Sequence, residues 1–144
     1  MKVLIDTNVI IDAITGRTPY NASAEQIFLL AAKDQISATI TASSVTDIYY
    51  LINKHFHDAD KAKQVLSTIF TLFDVIDVGK NDCEKALDLL MTDYEDALLA
   101  CCAKRTKARY IVTRNTKDFL SSPVQIIMPD DFISRFFLEQ QSQQ

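Results

Sequence analysis

The stretch from Val3 to Ile11, VLIDTNVII, constrains this chain more than any other. Val3–Ile5 has the aliphatic, β-branched character of a short buried strand. Asp6-Thr7-Asn8 then interrupts it before the apolar pattern resumes. A carboxylate at the end of a buried strand is costly unless it caps a helix, finds a partner or holds a metal. Asp6 is therefore a candidate functional residue, with polar Thr7 and Asn8 beside it to orient it.

The rest of the chain repeats an alternation. Helical periodicity in Ala24, Ile27, Phe28 and Ala31 predicts a helix over 21–33. A second strand is expected over 36–41, followed by helices from Ser43 or Ser44 to about His55 and over 59–70. A third strand is expected over 73–78 and a helix over 82–91. Residues 94–106 read as a helix that is apolar nearly all round, hence buried. Strands at 110–112 and 124–128 follow, and a last helix near Asp130 runs to Phe137. Strands alternating with helices imply a parallel sheet covered on both faces, an α/β fold of four to five strands. The length of 144 residues suits one domain, expected over 1–139, with a disordered Gln/Ser tail over 140–144.

In such sheets ligands bind beyond the carboxyl ends of the strands. Asp6 ends the first strand, and Thr113 and Asn115 end the fourth. Asp47 follows the second strand, where Ser44-x-x-Asp47 also fits a capping box. In the segment MTDYEDALLACCA, Thr92-x-x-Glu95 fits another capping box, which leaves Glu95 no special role. Asp93 suits the positive end of the helix dipole. Asp96 has neither explanation and shares a face with Asp93, a repulsive placement unless a cation intervenes. Carboxylates recurring at one sheet edge offer oxygen ligands suited to Mg2+ or Mn2+. Such clusters hold one or two ions that serve phosphodiester hydrolysis.

The net charge of −4 argues against general coating of nucleic acid. Six of the fifteen Lys and Arg residues nevertheless fall between 104 and 117. They form either a basic patch or a solvated helix end. The three cysteines, Cys83, Cys101 and Cys102, match no zinc or redox spacing and read as reduced thiols. No apolar run approaches the ~18 residues of a membrane span, and the start lacks a signal-peptide pattern. A soluble, cytoplasmic protein with no membrane partner is expected.

The segments VLIDTNVIID, DYEDALLACCA and YIVTRNTKDF, with an acid after the second strand, resemble the PIN-domain family of metal-dependent ribonucleases. Within it the chain is most similar to the toxins of bacterial type II toxin–antitoxin pairs. The resemblance spans nearly the whole chain and implies a three-layer α/β/α domain with a central first strand. It implies that Asp6, Asp47 and Asp96 are catalytic and bind metal, Asp47 standing where glutamate is more usual. At the fourth acidic position the family often has aspartate; here it is Asn115. That removes one charge and questions a second metal ion, although Asp118 or Asp93 can supply the missing carboxylate. Thr113 matches the small hydroxyl residue that steadies the acids. An RNA substrate, 5′-phosphate products, a homodimer and a small antitoxin seated in the cleft are also implied. Arg17, Lys104, Arg105, Arg114 and Lys117 are candidate phosphate contacts. Tyr20, Tyr49 and Tyr94 are candidate base platforms, with packing the better reading of each. His55 and His57 read as surface residues. Two rivals are a phosphatase of the haloacid-dehalogenase type, with Asp6 as nucleophile, and a catalytically inactive PIN-like module that only binds RNA or protein.

Overall fold

The structure is a computed structural model and describes residues Met1–Gln143. Five strands form one sheet: β1 (Lys2–Ile5), β2 (Ser37–Thr41), β3 (Asp74–Ile76), β4 (Tyr110–Val112) and β5 (Ile126–Ile127). Their order is β3-β2-β1-β4-β5, and every pair is parallel. The α/β sandwich with a central first strand is thus the expected fold.

Among the described residues seven α-helices connect and cover the strands: α1 (Thr7–Thr15), α2 (Asn21–Ala32), α3 (Val45–Phe56), α4 (Ala59–Leu72), α5 (Lys80–Ala86), α6 (Tyr94–Arg105) and α7 (Pro129–Ser142). The strands alternate their side chains between two cores, as the pleat requires. Val3, Ile5, Ile40, Tyr110 and Val112 pack against α1–α4 and α7. Leu4 and Ile111 point the other way, against Leu99, Ala100, Cys102 and Ala103 of α6. The six buried residues of α6 encircle it, as its apolar sequence predicts. Among the described residues no helix is long and apolar enough to cross a membrane.

Several boundaries differ from expectation for local reasons. α1 starts directly after β1, with Asp6 as its N-cap and Gly16, at φ 64°, as its left-handed C-cap. α5 stops at Ala86, so 87–91 are not α-helical. The last helix opens with Pro129 at its first position, with Asp130 inside its first turn rather than capping it. It runs to Ser142, so residues 140–142, expected to be disordered, are helical here. Gln144, the end of that expected tail, lies outside the described residues. A bidentate pair from Arg109 to Glu139, at 2.7 and 3.1 Å, ties α7 to the start of β4.

Candidate active site

The strand order reverses direction beside β1: the chain builds β2 and β3 on one side of it, then returns to place β4 on the other. A crevice opens there beyond the carboxyl ends, where ligands bind in open parallel sheets. It is a cleft of about 610 Å³, lined by Asp6 at the end of β1 and by residues of α1, α3, α6 and the turn after β4. Its walls carry Asp6, Asp12, Asp47, Asp93, Glu95, Asp96 and Asp118.

Asp6 sits at the floor. Its Oδ1 accepts from the Thr7 amide at 2.8 Å, and its Oδ2 accepts from the Thr113 hydroxyl at 2.8 Å. Asn8 Nδ2 donates to Asp6 Oδ2 and Thr113 Oγ1, at 3.3 and 3.2 Å. Asn8 Oδ1 in turn accepts from the Arg114 amide at 3.3 Å. The Asn115 amide donates to Thr113 Oγ1 at 3.0 Å. Helix capping and fixation in the cleft are therefore compatible roles of one carboxylate. Burial raises the Asp6 pKa and the Asp118 charge adds to it; the Thr113 and Thr7 bonds and Arg114 pull the other way.

Asp93, Glu95 and Asp96 come from the start of α6. The expected Thr92–Glu95 capping box does not form. Asp93 takes the extended N-cap conformation and its Oδ1 accepts from the Asp96 amide at 3.0 Å, shifting the cap by one residue. Asp96 is therefore the third residue of the helix, not one past the capping positions, and its carboxyl group points into the cleft. Partial burial, with Asp6, Asp93, Asp118 and Glu95 around it, pushes its pKa up to about 7.

Asp47 is exposed in the first turn of α3. Its expected capping box is absent too: Ser44 is in a helical conformation and its hydroxyl bonds Thr41 Oγ1 at 2.8 Å. Asp47 instead meets Glu95, whose pKa is raised first by that close contact. Glu95, dismissed as a capping residue from the sequence, is thus part of the acidic wall. Asp118 stands on the short 3-10 turn Thr116–Phe119 after β4, with Asn115 on the adjoining rim. The carboxylates ring the cleft rather than close on one point: among the described residues, no three His, Cys, Asp or Glu side chains converge tightly enough to grip one ion as placed.

Of the five expected phosphate contacts, two line the cleft. Arg17 lines the cleft. Arg114 reaches it, but its guanidinium forks onto Asp12, with Nη2 to Oδ1 at 3.2 Å and Nε to Oδ2. It also lies 4.2 Å above the Tyr20 ring. Asp12 is 1% exposed and gave no signal in the sequence because its partner is 102 residues away. Lys104 and Arg105 end α6, eight and nine residues beyond Asp96, or about 12–14 Å at 1.5 Å per residue. That end lies near the start of β1, where Lys2 donates to Thr106 O. Arg105 bonds Asp82 at 2.9 Å and the Asp77 carbonyl. Lys117 is exposed on the 3-10 turn, off the cleft lining.

Among the aromatics, Tyr49 packs against the core and the Tyr94 hydroxyl donates to Cys83 O at 2.7 Å. The neighbouring Tyr50, not singled out from the sequence, lines the cleft instead. All three cysteines are free; burial pushes the Cys102 thiol up to about 11, so it is an inert core residue.

A central strand ending in a cradled aspartate, facing acids from α3, α6 and the turn after β4, is the arrangement of a known family. Residues 2–117 match the family model of the PIN domain, and the chain belongs to that family. It is 26% identical over 140 residues to ribonuclease VapC1 of Aquifex aeolicus, covering 94% of this chain and 95% of that protein. Its fold is similar to VapBC2 from Rickettsia felis, solved with a fragment of promoter DNA: TM-score 0.68, 20% identity, 89% of this chain and 98% of that one. A toxin–antitoxin complex from Klebsiella pneumoniae aligns at TM-score 0.64 and 24% identity, over 88% of this chain and 97% of that one.

Proposed function

We propose that this protein is a divalent-metal-dependent endoribonuclease and the toxin of a toxin–antitoxin pair. The observation that carries the reading is a cleft in which Asp96 is partly buried among Asp6, Asp93, Asp118 and Glu95; burial first, and those charges next, push it to about 7. A PIN domain related end to end to a ribonuclease adds support. Crowded carboxylates with no compensating cation repel and hold protons; a hard divalent ion relieves both.

The donor set fits such an ion, because every candidate ligand is oxygen. Asp6 and Asp96 would hold it, with Asp118, Asp93 or the Asn115 amide oxygen completing the set and Asp47 and Glu95 adding negative charge to the same cleft. Mg2+ or Mn2+ bound there supplies Lewis-acid chemistry, lowering the pKa of water and neutralising charge on a phosphodiester. The chain's own residues do the positioning. Thr113, Asn8 and the Thr7 amide fix the Asp6 carboxylate in one orientation. The Asp12–Arg114 pair fixes the turn that carries Asn115 and Asp118. The reaction hydrolyses the phosphodiester and leaves 5′-phosphate ends. Asn115 does not make the site inert in this reading, since Asp118 stands close enough to be felt by Asp6 and Asp96.

The antitoxin is a small protein whose segment occupies the acidic cleft, and the toxin acts in the cytoplasm as a homodimer. Expression in a bacterium lacking the antitoxin tests the assignment. The parent arrests growth and Asp96→Asn, equally abundant, does not. Unchanged growth with soluble parent protein would contradict the toxin role.

A further inference from the structure

Helix α3 leads out of the cleft. Asp47 lies in its first turn; Tyr50, Lys54 and His57 follow at steps of three, four and three residues, on one face. Tyr50 is 63% exposed. It lines the acidic cleft and also a second depression of about 470 Å³ formed with Asn53, Lys54 and His57. The two depressions meet at one tyrosine ring, and the face from Asp47 to His57 is about 15 Å long.

Charge changes sign along this face, from Asp47 at the cleft to Lys54 further along. Lys54 is exposed and forms no ion pair among the described residues. Lys61, the next cation, lies 4.2 Å above the Phe56 ring. Asp58, beside His57, is engaged in capping α4 through the Lys61 amide at 3.1 Å. By contrast, Arg105, Arg109 and Arg114 are held by Asp82, Glu139 and Asp12. An exposed ring, a side-chain amide and a free cation along a groove are what a single-stranded nucleic acid engages: bases stack and phosphates meet charge.

Resting on the ribonuclease reading, we infer that the α3 face of Tyr50, Asn53, Lys54 and His57 is the track for single-stranded RNA flanking the scissile phosphate. Tyr50 is its stacking platform and Lys54 its phosphate contact. Each is an exposed side chain whose replacement leaves the core intact.

The test is anisotropy of a fluorescein-labelled oligouridylate on the Asp96→Asn protein, across a salt series, with light scattering on the same samples. Tyr50→Ala weakens binding about ten-fold, while Tyr50→Phe keeps it. Lys54→Gln weakens it several-fold and makes the log–log salt slope shallower by about 0.7. Lys33→Gln, on the far end of α2, changes nothing. If Tyr50→Ala and Lys54→Gln bind as Lys33→Gln does, the track is wrong. It is equally wrong if they change only self-association, which would make the face a contact between copies. Parent protein that cleaves RNA in Mn2+ while all variants bind alike overturns the track alone. Protein that binds through Tyr50 and Lys54 but never cleaves overturns the ribonuclease reading and leaves the track standing.

Discussion

Asp6 uses its two oxygens for different ends. One closes the N-terminus of α1; the other is held by a hydroxyl that belongs to the far strand of the crevice. Thr113 is fully buried, donating to Asp6 and accepting from the Asn115 amide. Thr113→Val keeps the shape but removes the hydroxyl that Asp6, Asn8 and the Asn115 amide all bond, at a cost of about 1–3 kcal/mol. Denaturant titration reads that loss, and cleavage falls with it because Asp6 loses its orientation. Asp96 carries the pH signature. Its folded pKa is raised above the unfolded 3.8 to about 7, so the folded state binds more protons between those values. Stability without metal therefore declines as pH rises from about 4 to about 7. At pH 8 the metal-free Asp96→Asn protein is more stable than the parent. The gain is about 1 kcal/mol after discounting for solvent screening, or about 3 °C in Tm. A parent that gains stability over that pH interval, or an Asn variant that melts lower, contradicts the crowding.

At the scale of elements, α6 was readable because its apolar residues leave no polar stripe, and β1 because three aliphatic residues precede an acid. Its cap was not readable: Thr92 and Asp93 both suit an N-cap, and backbone geometry chose Asp93. With Asp93 as the cap, Glu95 is free of any capping bond and lines the cleft. The cations between 104 and 117 look like a patch in the linear chain. Lys104 and Arg105 end a helix that runs back to the opposite edge of the sheet, while Arg114 follows β4 at the cleft and Lys117 stands on the next turn, off its lining. The sequence shows spacing along the chain but not this reversal. Tyr49 and Tyr50 look alike in sequence; helix phase turns one to the core and the other to the cleft. The turn after β4 depends on Asp12, whose partner is in another element. Asp12→Ala leaves the 17%-exposed Arg114 guanidinium without its anion. We expect a loss of about 3 kcal/mol, read by chemical denaturation. A loss below 1 kcal/mol would show that Tyr20 and solvent hold Arg114 unaided.

For the whole molecule, the site follows from topology. A parallel sheet whose order turns beside β1 must open a crevice there, and the chain sends four acid-bearing segments to it. The parallel α/β fold was legible because strands and helices alternate, and its PIN-like character from the resemblance carried by VLIDTNVIID, DYEDALLACCA and YIVTRNTKDF; the completeness of the acidic wall was not, because it is assembled from segments up to 112 residues apart, Asp6 to Asp118. A cation that binds only the assembled cleft stabilises the folded state in proportion to the logarithm of its concentration. Mn2+ therefore raises Tm for the parent, and far less for Asp96→Asn. The most direct measurement of the central claim is cleavage of a labelled RNA in Mn2+, with and without EDTA, by the parent and Asp96→Asn side by side. The parent cleaves, EDTA abolishes the cleavage, the products carry 5′-phosphate ends, and the folded variant loses at least a hundred-fold, about 2.7 kcal/mol of barrier. Cleavage that persists in EDTA, or in Asp96→Asn at the parent's rate, would contradict that claim.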